Sequence, residues 1–187
     1  YQIVTPDLHH RQGRLLNAVD TTPPEGATAQ EMVWGWIGAM DDDEIQHDGD
    51  RALDAAGVDP STPIVTIGFC LGARAIFRRM MAEPDRVLAG STWHPSFLAD
   101  DGDDSPHLTA GEIRQPMYLG IGTADQVQSI EMHQRFLDAV APLDHVKVEL
   151  HEGADHGYTW PGSPNYHEAA ATASWTATTE LFRNAFA

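Results

Sequence analysis

The sequence predicts an α/β protein with a mainly parallel sheet and helices on both faces. Short apolar runs rich in β-branched residues alternate with stretches of helical period, the order that builds parallel sheets. The short apolar run at 62–69, and those at 86–93 and 115–123, read as strands covered on both faces, as in parallel sheets. The stretch "VTIGFCLGAR" (65–74) passes from strand pattern to helix pattern through two glycines, with Cys70, the one cysteine of the chain, between them.

The elements follow in order. "YQIVTPDL" (1–8) reads as a strand running into a Pro-Asp turn. "DTTPPEGATAQ" (20–30) is a polar loop punctuated by Pro and Gly. Residues 44–56 place Ile45, Gly49, Ala52, Leu53 and Ala56 on one helical face. Strand 62–69 leads into an apolar-rich helix at 71–82, and strand 86–93 into "ADDGDDSPH" (99–107), a solvated turn. After strand 115–123 a helix at 126–141 carries a core stripe of Met132, Phe136, Leu137 and Val140. "HVKVELHEG" (145–153) alternates, as a strand near a sheet edge does. The last helix, 167–185, sets Trp175, Thr178 and Phe182 on one face.

The 187 residues suffice for one domain with a hydrophobic core, and one domain over 1–187 is expected. There is no repeat, no apolar run of the ~20 residues a membrane helix needs, and no signal-peptide pattern. One cysteine excludes an intrachain disulfide and fits a cytoplasmic protein. Aspartate and glutamate total 28 against 11 lysines and arginines, a net charge of −17, and Lys147 is the single lysine. Such a surface repels phosphate backbones and argues against nucleic acid as a partner. It fits either a solvated acidic face or adaptation to high salt. The chain opens at Tyr1 directly on a strand pattern, from which an incomplete N-terminus is expected.

G-x-C-x-G at a strand-to-helix junction is the cysteine form of a nucleophile elbow. Small residues two before and two after the nucleophile, Gly68 and Gly72, keep strand and helix from clashing. Cys70 then sits at a helix N-terminus, where amides and the dipole favour a thiolate. The Leu71 amide is the expected oxyanion donor. The α/β-hydrolase order is nucleophile, acid, base. "MYLGIGTAD" ends at Asp125 and "HEGADHGY" carries His156 just past its strand. Cys70, Asp125 and His156 therefore fall at the C-terminal edge of the sheet, where open α/β sheets place their sites. His156 would take the thiol proton and Asp125 would fix the imidazole tautomer. Each has an ordinary alternative. Cys70 also reads as a buried structural cysteine, and Asp125 as a cap of helix 126–141. Asp155 is a rival acid, and His151 and His94 are rival bases. A metal held by Cys70, His94 and His156 has no H-x-x-x-H or C-x-x-C spacing behind it, so no metal is expected.

Four segments, "PDLHHRQG" (6–13), "GFCLGAR" (68–74), "GIGTADQVQ" (120–128) and "GADHGYTWPG" (153–162), resemble the dienelactone hydrolase family of α/β-hydrolases, in family order. The resemblance implies lactone or ester cleavage through a thiol-bound acyl intermediate, no cofactor, and the triad Cys70, Asp125 and His156. It places Arg11 where one arm of the family's carboxylate clamp lies. Trp160 stands where the other arginine would be, which points to a more apolar or larger ester. It also implies strands and a glutamate-bearing loop ahead of the Pro-Asp-Leu segment, supplying a second oxyanion donor, and none of these is within the 187 residues. A bared sheet edge makes a homo-oligomer an expected possibility. Three function classes remain: a hydrolase of small esters or lactones with no membrane partner, a non-catalytic or regulatory protein on the same scaffold, and a thiol acyltransferase or thioesterase-like enzyme.

Overall fold

The computed structural model describes residues 1–11 and 22–187. Gln12 and Gly13 of the 6–13 segment, and Asp20 and Thr21 of the 20–30 loop, lie outside the described residues. The chain divides into two compact units, Tyr1–Thr62 and Pro63–Ala187.

The first unit holds helices α1 (Ala29–Gly38) and α2 (Asp42–Ala55). Helix α1 was not expected from its apolar pattern, yet its signal is in the sequence. Thr28-Ala-Gln-Glu31 is a capping box, in which the Thr28 hydroxyl accepts the Glu31 amide and Glu31 returns to the Thr28 amide. Helix α2 matches its expected place. Asp41 caps it by accepting the Glu44 amide at 3.0 Å, and three acidic residues in its first turn complement the helix dipole. The segment 1–8 is not a strand. An apolar run becomes a strand only when a neighbouring strand takes its amides and carbonyls, and no strand of the described residues pairs with it.

The second unit is a four-stranded parallel sheet in the order β1 (Ile64–Cys70), β2 (Val87–Pro95), β3 (Met117–Gly122), β4 (Val146–His151). Gly68, Thr92, Leu119 and Val148 stand in one row across it. Helices α3 (Gly72–Ala82) and α4 (Ile130–Val140) cover one face. There Phe77, Met80, Val87, Leu119, Ile121, Phe136 and Val140 form the main core, with Phe77 edge-on to Phe136 at 5.4 Å. Helix α5 (Glu168–Ala185) packs against β2 and β3 and closes a smaller cluster of Trp93, Tyr118, Ala154, Tyr158 and Ala170. The expected fold class, a parallel sheet with helices on both faces, is the observed one.

Several local expectations are corrected. Strand β1 is not buried on both faces, since Ile67 is 36% and Phe69 44% exposed. It ends the sheet of the described residues, and α5 lies over β2 and β3. Helix α4 starts at Ile130, after a turn, and Met132 is 49% exposed while His133 takes the buried place beside Phe136 and Val140. On α5 the buried face is Ala170, Ser174 and Thr178, and Trp175 rests edge-on against Trp93 from an exposed position. The acidic 99–107 segment is more than a solvated turn. Asp100 and Asp104 pair with Arg74 of α3, and Asp104 also with Arg78.

Candidate active site

The nucleophile elbow begins with a steric constraint. Any Cβ at Gly68 would lie 2.2 Å from the carbonyl oxygen of Gly72, so only glycine lets α3 start against β1. The reciprocal expectation for Gly72 is corrected, because a Cβ there would meet nothing within 4 Å. Cys70 has φ +53, in the left-handed region that non-glycine residues rarely adopt. Such strain persists only where the surrounding structure imposes it, and it turns the side chain out of the strand direction. His94 (φ +40) and Phe97 (φ +60) share this conformation at the end of β2.

The thiol of Cys70 lies 3.4 Å from the Ser96 hydroxyl, and the Ser96 amide donates to the Cys70 carbonyl at 2.9 Å. Ser96 is fully buried, and no spacing in the sequence marks it. Burial pushes the thiol pKa up. The nearby His156 and its charge, the bond to Ser96 and the Leu71 amide outweigh it, and the net shift is downward.

Asp125 follows β3 and carries two loads. One carboxylate oxygen accepts the amides of Val127 and Gln128 at 2.8 and 2.7 Å, closing the turn before α4. The other accepts from His156 Nδ1 at 2.8 Å. The capping alternative is corrected, since α4 begins at Ile130 with Ser129 at its N-cap and the Asp125 carboxylate closes the preceding turn instead. Burial raises the pKa of Asp125, and His156 with the two turn amides brings it below its ordinary value.

Beyond β4, His156 has its Nε2 buried without an aligned hydrogen-bond partner among the described residues. Burial alone would lower its pKa. The bond to Asp125 and the interaction with Cys70 reverse this and raise it to about 9. The rivals have other partners. Asp155 accepts the amides of Gln126 and His156 itself. His151 bonds the hydroxyls of Tyr118 and Ser174 beneath α5. His94 packs edge-on against His156, ring centroids 4.9 Å apart, and is held by Thr159. Buried His133, which sequence reasoning missed, lies in the field of Asp125 and His156. Among the described residues no group of three His, Cys, Asp or Glu is arranged to hold a metal ion. No helix there is long and apolar enough to cross a membrane.

The two expected substrate contacts differ. Trp160 is 73% exposed in the loop after His156. Arg11, in the first unit, is already engaged: both terminal nitrogens bond Asp48, and Nε lies 3.0 Å from Glu44.

The sequence model of the Dienelactone hydrolase family matches residues 1–186. The chain belongs to the dienelactone hydrolase family. A Salmonella typhi protein called "Putative carboxymethylenebutenolidase" is 24% identical over 191 residues, which is 97% of this chain and 66% of that protein. The Salmonella typhimurium protein of the same name gives the same identity and coverage. The chain therefore spans slightly less than two thirds of these relatives' length. Among solved structures, a "Putative Dienelactone Hydrolase" from Klebsiella pneumoniae superposes with a TM-score of 0.76 at 19% identity, covering 95% of this chain and 73% of that one. A monoacylglycerol lipase from Paleococcus ferrophilus gives 0.58 at 15% identity, covering 76% and 75%. At these identities the likeness establishes the fold, the α/β-hydrolase scaffold, on which many chemistries are carried.

Proposed function

We propose that this chain is, as one α/β-hydrolase domain, a cysteine-dependent hydrolase of small carboxylic esters or lactones in the cytoplasm, working through a thioester. The observation that carries the reading is the line Asp125–His156–Cys70. The 2.8 Å bond from Nδ1 fixes the imidazole tautomer, and thiol and imidazole shift one another toward thiolate and imidazolium.

In this reading the Cys70 thiolate attacks the carbonyl carbon, and the Leu71 amide stabilises the oxyanion at the head of α3. As the tetrahedral species collapses, the C–O bond breaks and His156 Nε2–H protonates the departing alkoxide. The acyl group remains on Cys70 as a thioester. Neutral His156 then takes a proton from water, the hydroxide attacks the thioester carbon, and the C–S bond breaks. Carboxylic acid, thiolate and imidazolium result, and the acid gives its proton to solvent as it leaves. No step needs a metal or organic cofactor.

The substrate is read as an uncharged ester. Arg11 already answers two carboxylates, and the second clamp position is Trp160. A net charge of −17 further disfavours anionic substrates. The test is incubation with p-nitrophenyl acetate, following nitrophenol release and intact mass. Turnover or an acetyl adduct on Cys70, lost in His156→Ala, supports the reading. Neither signal in the wild type overturns it.

A further inference from the structure

His94 closes β2 at a position the chain holds under strain. Its φ is +40, a costly conformation for a residue with a Cβ. It is 6% exposed. Three aromatic neighbours hold the ring edge-on or tilted: His156 at 4.9 Å, Tyr158 at 5.4 Å and Phe69 at 6.0 Å between centroids. Nε2 lies 3.0 Å from the Thr159 hydroxyl. Nδ1 is buried and, among the described residues, has no hydrogen-bond partner.

An unmatched buried nitrogen costs about 1–3 kcal/mol, so one that a native protein keeps calls for an explanation. The His94 ring lies against that of His156, the base in the reading above, with centroids 4.9 Å apart. The neighbourhood also settles its charge. Burial and the imidazolium of His156 hold the His94 pKa at about 4 against the opposing pull of Asp125, so the ring stays neutral while the triad is charged. A neutral imidazole engaged through Nε2 keeps one further hydrogen-bonding position, at Nδ1.

We propose that His94 is a substrate-binding residue of this site, whose Nδ1 hydrogen-bonds the acyl part of the ester or its tetrahedral intermediate while Thr159 fixes the ring through Nε2. The proposal rests on the hydrolase reading above. It assigns His94 no proton transfer, which distinguishes it from the rival-base expectation.

Asparagine and glutamine separate the two nitrogens. The amide of Asn reaches where Nδ1 lies, and that of Gln where Nε2 lies. Phenylalanine keeps the ring packing and loses both. Acylation by p-nitrophenyl acetate is followed beside alkylation of Cys70 by iodoacetamide across pH. Alkylation reports the thiolate and makes no ester contact. His94→Phe is expected to lower acylation kcat/KM about tenfold to a hundredfold, with its alkylation pH profile unchanged. His94→Asn should recover much of the loss, and His94→Gln should not.

Recovery by Gln alone, or an alkylation profile displaced in His94→Phe, assigns the residue to support of His156 through Thr159 and overturns the proposal. Wild-type acylation with an unaffected His94→Phe also overturns it and leaves the hydrolase reading standing. A wild type that is never acylated at Cys70 overturns both. Thermal melting of each variant confirms that the comparison is between folded proteins.

Discussion

His156 Nδ1 donates to Asp125 at 2.8 Å, and the other oxygen of that carboxylate holds the amides of Val127 and Gln128. One side chain thus orients the His156 imidazole and closes the turn into α4. Asp125→Asn keeps the shape and an acceptor, but the amide cannot demand a proton on Nδ1. Acylation by an alkyl ester is expected to fall on the order of 10³–10⁴-fold with a modest change in melting temperature. An unchanged rate would remove Asp125 from the mechanism.

The pH dependence has two limbs with opposite signs. Cys70 is lowered from its ordinary 9.0, so the thiolate persists below that pH and is lost as pH falls through the lowered value. His156 is raised from 6.5 to about 9, so its paired charge is fully present below about 6.5 and is lost as pH rises through about 9. Iodoacetamide, which needs only the thiolate, should react along one rising limb centred below 9. Single-turnover acylation by an alkyl ester should fall again near 9, where His156 loses the proton that the alkoxide needs. His156→Gln should move the iodoacetamide limb up toward 9.0, since only Ser96 and the Leu71 amide then oppose burial. A wild-type thiol titrating at its ordinary value would falsify the ion pair.

Gly68 and Gly72 flank Cys70 symmetrically in sequence and unequally in space. Gly68→Ala forces a Cβ against backbone that cannot yield, and should destabilise by about 3 kcal/mol. Gly72→Ala meets open space at a helix start, and should be neutral or stabilising by up to about 1 kcal/mol. Urea midpoints of the two variants test this, and equal losses would refute the asymmetry.

Gly120 makes room for a buried hydroxyl cluster under α5. A Cβ there would stand 2.5 Å from the Tyr158 hydroxyl, 2.8 Å from Ser174 and 3.1 Å from Tyr118. These hydroxyls bond one another and His151, and Tyr158 also buttresses His94. Gly120→Ala is expected to cost about 1–3 kcal/mol and to slow acylation by displacing Tyr158. Full activity at full stability would show that the cluster yields without consequence.

Arg11 and Trp160 yield a prediction about charge. Esters of equal size should be cleaved with higher kcat/KM when uncharged than when carrying a carboxylate, and added salt should narrow the difference by screening. Preference for the anionic ester, lost in Arg11→Gln, would restore Arg11 as a substrate clamp.

The sequence by itself determined the strand and helix alternation, and hence the parallel sheet. Periodicity and burial pattern are local properties, and β2, β3, α2 and α3 each appear within a few residues of their expected places. It also placed Cys70, Asp125 and His156 at or just beyond strand ends, because parallel topology sends every strand's C-terminus to one edge. Helix α1 was legible too, through the Thr28–Glu31 box rather than through apolar spacing.

What only the tertiary structure decided depends on which elements become neighbours. Tyr1–Leu8 has a strand's composition, and no strand of the described residues pairs with it. Ile67, Phe69, Met132 and Trp175 are apolar yet exposed, because burial is set by what covers a face and not by the face alone. Ser96 beside the thiol, the edge-on ring of His94 and the unequal crowding at Gly68 and Gly72 come from residues distant in sequence or from strained backbone angles. No periodicity encodes such contacts, since they exist only once the chain has closed around them.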